Sequence, residues 1–147
     1  MNVGPFPVAS LIQRLQGIAA LKLVGGAADL PAATQQAPRA APAAYVVLRE
    51  SGNEPREYST LHVQSMRALL VISLWVQNYA TAHRGDAASR DMDLVDQAVR
   101  TRLLGWSPSE AYGPLWIAGT DDAFVSGWLN RQLAFRSDYR LQLEVQP

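Results

Sequence analysis

"LHVQSMRALLVISLWVQNY", residues 61–79, is the stretch on which the fold turns. Its first part alternates apolar and polar side chains. From 68 to 76 it is apolar on both parities, broken only by Ser73, and rich in β-branched residues. A strand covered on both faces reads this way, and a buried helix is the competing reading. The Val-Ile-Ser-Leu-Trp-Val content and the alternating lead-in favour strand. The apolar run is far shorter than the roughly 20 residues a membrane helix needs.

A second long strand is expected at the other end of the sequence. In "RQLAFRSDYRLQLEVQ", residues 131–146, one parity reads Leu133, Phe135, Ser137, Tyr139, Leu141, Leu143 and Val145 after Arg131. The other reads Gln132, Ala134, Arg136, Asp138, Arg140, Gln142, Glu144 and Gln146. Strict alternation is the pattern of a half-buried strand. Strands usually run about five or six residues; this one is more than twice that, and at roughly 3.3 Å per residue it would span about 50 Å. A bend at Ser137-Asp138 is therefore expected. Leu133, Phe135, Tyr139, Leu141 and Leu143 are expected to pack on helices. Arg136, Asp138, Arg140, Gln142 and Glu144 are expected to face a neighbouring subunit or a channel; an ordinary solvated face is the alternative.

Between and before these strands the pattern changes period. Val8, Leu11, Ile12, Leu15, Ile18 and Ala19 form an apolar helical stripe, so a helix is predicted over residues 7–19, with Pro7 in its first turn. "LKLVGG" reads as a short strand and the Ala/Pro/Gln-rich residues 31–42 as a loop. Residues 43–50 read as a compact strand, and 51–60 as a turn or mobile loop. Met92, Val95, Ala98, Val99 and Leu103 predict a second helix, with Asp86 or Ser89 to cap its start and Gly105 its end. "LWIAG", "TDD" and "AFVSGW" read as strand, tight turn and strand. The predicted order is α-β-β-β-α-β-β-β. Two helices on one face of a mainly antiparallel sheet make an α+β fold, in one domain over residues 1–147.

Composition narrows the function classes. The 147 residues carry 13 Lys+Arg and 13 Asp+Glu, so there is no general pull towards nucleic acid or anionic lipid. A charge near zero also does little to resist self-association. Without cysteine there are no disulfides, thiolate catalysis or Cys-based zinc sites. The first ten residues lack a basic and an apolar signal region, so a soluble protein made inside the cell is expected.

Catalytic constellations are missing as well. His62 and His83 have no nucleophile pattern around them, and no glycine-rich phosphate loop accompanies Gly25-Gly26. Asp121-Asp122 reads as turn chemistry before it reads as an acid–base pair. No cofactor or metal site is expected. Of the four tryptophans, Trp106 is expected to fold back onto the core, and Trp128 is the better interface anchor.

Two stretches carry a family likeness. "PRAAPAAYVVLRE", residues 38–50, resembles the Pro-Ala-Ala-Tyr-Val start of a strand in tail-terminator proteins of Mu-like and related long-tailed phages. "DLVDQAVRTRLLGWSP", residues 93–108, is similar to that family's second helix with its Leu-Leu-Gly-Trp-x-Pro turn, filled here by Leu103, Leu104, Gly105, Trp106 and Pro108. The order of elements and the long last strand are similar too. The resemblance implies a structural virion protein at the tail–neck junction, assembled in the host cytoplasm. It implies a homohexameric ring that caps the tail tube, stops its polymerisation and meets the head–tail connector. DNA would pass through the ring without sequence-specific binding, and neither catalysis nor a cofactor is implied. Loops 27–42 and 51–60, with Arg39, Arg49, Glu54, Arg56 and Glu57, are then the expected contacts with the tube and connector. Another neck or tube ring protein, a small enzyme using Asp121 or Asp122, and a monomeric ligand-binding domain are the other readings.

Overall fold

The structure is a computed structural model and describes residues 2–29, 40–77, 86–125 and 127–145. Helix α1 (Val8–Gln16) is followed by strand β1 (Leu23–Gly26), a 3-10 turn (Ala27–Asp29), β2 (Ala43–Gly52) and the short β3 (Arg56–Glu57). Then come β4 (Leu61–Gln77), α2 (Asp86–Leu103), β5 (Trp116–Val125) and β6 (Trp128–Glu144). The fold is α+β, as expected. Its six-stranded sheet runs β1-β2-β4-β6-β5, with β3 on β4 beyond the end of β2. Only the β1–β2 pair is parallel.

Residues 61–77 are indeed strand. β4 and β6 pair residue for residue from Leu61↔Glu144 to Gln77↔Trp128, without a shift. The length of each strand is thus matched by the other at the centre of the sheet. The bend expected at Ser137-Asp138 does not occur: Ser137 sits opposite Ala68 in an unbroken ladder. The one register shift among the named pairs lies in β5, between Ile117 and Gly119.

The two faces of the sheet differ. Ala68, Leu70, Ile72, Leu74 and Val76 of β4 lie beside Leu129, Leu133 and Phe135 of β6, all buried. Leu11 and Leu15 of α1 and Met92, Val95, Val99 and Leu103 of α2 close over them in one core. Both helices therefore cover the same face, here called the helix face. Phe6, Tyr112 and Tyr139 finish that core at its far end, with ring centroids 5.4 and 4.9 Å apart in successive edge-on pairs. Leu143, expected to join this packing, is 49% exposed because neither helix reaches it.

Several boundaries moved. α1 stops at Gln16, short of the predicted residue 19, and Gly17 caps it by donating to Arg14 O. Gly105, at φ +77°, does close α2 as expected. Ser89 lies inside α2, so it is no cap, and the residues before Asp86 fall outside the described ones. The expected loop 51–60 contains the end of β2 and all of β3. "TDD" is strand, not turn: Asp121 and Asp122 pair with Gln132 and Arg131, and the hairpin turns after Val125. Across this ladder the Arg131 guanidinium holds the Asp122 carboxylate.

Candidate assembly surface

Neither helix packs on the opposite face of the sheet, here called the open face. Cross-strand register assigns it the odd residues of β2 and β4 and the even residues of β6. One end of this face is apolar and buried. Ala43, Tyr45 and Trp75 form a small second cluster, with Leu23 and the half-buried Trp128 against it. Trp128 meets Trp75 edge-on at 6.4 Å. Ser73 and Asn130 are buried here, and they are satisfied. The Asn130 amide donates to Ser73 Oγ (2.9 Å) and Leu74 O (3.0 Å), and Trp75 Nε1 donates to the same Ser73 oxygen (3.0 Å).

The other end of the open face is basic. Arg49, Leu69 and Arg136 make one cross-strand row, Ser51, Arg67 and Asp138 the next, and Ser65 with Arg140 the one after. Asp138 is paired with Arg136 (3.2 Å) and Arg67 (3.5 Å), all well exposed. Exposed pairs of this kind stabilise little. Four guanidiniums around a single carboxylate instead give a neutral chain a locally positive surface.

Each expected site residue can now be placed. Arg136, Asp138, Arg140, Gln142 and Glu144 all lie on the open face, exposed except for the half-buried Gln142. Arg49 joins them from β2. Glu54 is exposed before β3, and Arg56 and Glu57 are exposed in β3 itself, opposite Val63 and His62. Arg39 lies outside the described residues. Trp128 is half-buried at the apolar end, on Trp75. Three residues were missed. Arg67 lies in the alternating lead-in of β4, just before the run read as covered on both faces, and its polar face was not singled out. Trp116 and Phe124, each 59% exposed, were missed because a misplaced turn split β5.

On the helix side, Arg131 ties the β5–β6 hairpin to α2. Its guanidinium donates to both oxygens of Asp122 (2.6 and 2.9 Å), to Asp93 (2.9 Å) and to Asp96 (2.9 Å). The hydrogen bonds from Arg131 hold the Asp122 carboxyl below the usual carboxylate range, against a smaller opposing effect of burial. This network explains Asp121-Asp122 without chemistry: Asp122 is an ion-pair partner and Asp121 an exposed surface carboxylate. Among the described residues, which include His62 but not His83, no group of His, Asp and Glu is able to hold a metal ion.

Comparison with known proteins decides between the readings. The profile of the phage tail terminator protein family matches residues 1–145. The chain belongs to the phage tail-terminator family. That makes it a structural phage tail protein by family. A solved structure of similar fold, described as "Virion of native gene transfer agent (GTA) particle", aligns at TM-score 0.56 and 20% identity. The alignment covers 90% of this terminator-family chain and 92% of the other. No curated protein matches.

Proposed function

We propose that this chain caps the phage tail tube as a homohexameric ring, stops tube polymerisation and joins the tail to the head connector. The observation that carries this reading is the family match over residues 1–145. The architecture is compatible with a purely structural role: the buried Ser73, Asn130 and Ser137 side chains are hydrogen-bonded, and the buried carboxylate of Asp96 is paired with Arg100 and Arg131. The partners are further copies of this chain, the major tail tube protein and the connector. The place of action is the tail–neck junction of the virion, reached after assembly in the host cytoplasm.

In this reading the open face, with Arg136, Asp138, Arg140, Gln142 and Glu144, faces the channel or a neighbour. Arg49, Glu54, Arg56 and Glu57 lie where the tube or connector would touch, and Arg39 belongs to the same group. DNA passes without base-specific contacts, and any hold on it comes from guanidinium–phosphate attraction. The role is tested by depleting the protein during phage production and imaging the tails. Overlong, headless tubes are expected; tails of normal length joined to heads would overturn the proposal. For the face, Arg136→Glu with Arg140→Glu should lower the yield of infectious particles by at least tenfold. A normal yield would show that the face is only solvated surface.

A further inference from the structure

β4 and β6, the two longest strands, cannot join subunits through their edges along the lengths where both sides are already paired. The open rim of the sheet on one side is β5. The hairpin to β6 closes at Val125↔Trp128 over two residues, so that pair exchanges its hydrogen bonds. Counting back, Ala123 and Asp121 turn their backbone groups onto β6, while Phe124, Asp122 and Thr120 turn theirs outward. No described residue outside the hairpin bonds to those outward groups. The opposite rim is β1, which pairs only with residues 43–46 of β2. Past it, residues 47–52 of β2 have no strand on that side among the described residues. Asn53 N–H donates to Ser65 O (2.9 Å) across β4, so Ser51 and Arg49 also turn onto β4, and Glu50 and Leu48 turn outward.

We propose that the outer edge of β5 in one copy pairs with residues 47–51 of β2 in a second copy of this chain, continuing the sheet from subunit to subunit. The inference rests on the ring reading and names its joint. Three observations select a second copy as the occupant. First, β5 runs antiparallel to β2, by the chain of pairings through β4 and β6. One rotation therefore joins rim to rim as an antiparallel ladder, the head-to-tail contact a ring requires. Second, the charges match. Asp121 and Arg49 are both exposed on the open face, and neither has an ion-pair partner among the described residues. The register that sets Asp121 opposite Arg49 brings Asp122 against Leu48 and Thr120 against Glu50. Those are the residues whose free backbone groups point outward on both rims. Third, β5 carries exposed aromatics at its two ends, Trp116 and Phe124, a residue type enriched at interfaces. β5 carries neither Lys nor Pro to blunt its edge, and the charge of Asp122 is already answered by Arg131.

The test uses the full chain. Hydrogen exchange of the Thr120 and Asp122 amides is measured in the monomer and in the assembled ring, with solution mass recorded alongside. Protection of those amides in the ring by at least ~100-fold is expected, as for other hydrogen-bonded strand amides. A ring whose Thr120 and Asp122 amides exchange at the monomer rate would overturn the joint and leave the ring reading standing. A mass that never exceeds the monomer would overturn both, and a closed two-fold dimer would overturn the head-to-tail pairing. Charge exchange supplies a second readout. Asp121→Arg and Arg49→Asp should each weaken assembly at least tenfold, and the two together should restore it. Failure of the double variant to restore assembly, with the monomer still folded, would reject the register.

Discussion

Arg131 shows how one side chain decides what its neighbours do. It pairs with Asp122 across the β5–β6 ladder and with Asp93 and Asp96 of α2, tying the hairpin to that helix. The side chain of Asp96 is only 7% exposed and has Arg131 and Arg100 as partners. Arg131→Met leaves that carboxylate with Arg100 alone, and a loss of about 2–4 kcal/mol in denaturant unfolding is expected. The pH dependence follows from Asp122, whose carboxyl is held low in the folded state. Its contribution is present above the ordinary carboxylate value, about 4, and is lost as pH falls through that value and below. The unfolding midpoint of the native protein should therefore drop between about pH 5 and pH 3, and Arg131→Met should flatten that drop. At the other end of the core, Tyr139 O–H donates to Glu50 Oε1 (2.8 Å), which also accepts the Phe6 N–H (2.9 Å). Tyr139→Phe removes a donor from a half-buried carboxylate and should cost about 1–3 kcal/mol in the same unfolding measurement.

The elements were legible in the sequence to the degree that hydrophobic period alone set them. Residues 61–77 and 133–141 alternate or run apolar because the long β4–β6 pair forms the middle of the sheet. Both helices show their stripes for the same reason. What escaped was decided across the chain rather than along it. β3 is two residues long and exists because β4 extends past β2. The bend expected in β6 rests on length alone, and the ladder is unbroken because β4 is equally long. The connection between α2 and β5 is held by specific contacts: Gly113 N–H donates to Asp138 O (2.9 Å), and Ser137 Oγ donates to Gly113 O (2.7 Å). A Cβ at position 113 would come within 2.7 Å of that Asp138 oxygen. Gly113→Ala should therefore pull the connection off β6, with a loss of about 1–3 kcal/mol and faster amide exchange around Tyr112.

For the whole molecule, the decisive property is asymmetry. One face of the sheet is closed by two helices; on the other, Ala43, Tyr45 and Trp75 form a small buried cluster with the half-buried Trp128 against it, and Arg49, Arg67, Arg136 and Arg140 make a basic end. The alternation of residues 131–146 made the two faces of that strand legible in the sequence. The basic end was not, because its arginines are contributed by three strands far apart in the chain. Composition concealed it too, since positive and negative residues balance overall. In the proposed function this surface is used in an assembly at the end of a tail tube. Electron microscopy of tail tubes grown from the major tube protein, with and without this protein, tests that most directly. With the protein present, tubes of arrested length ending in a ring of six subunits are expected. Tubes that lengthen equally in both cases, with bare ends, would contradict the account.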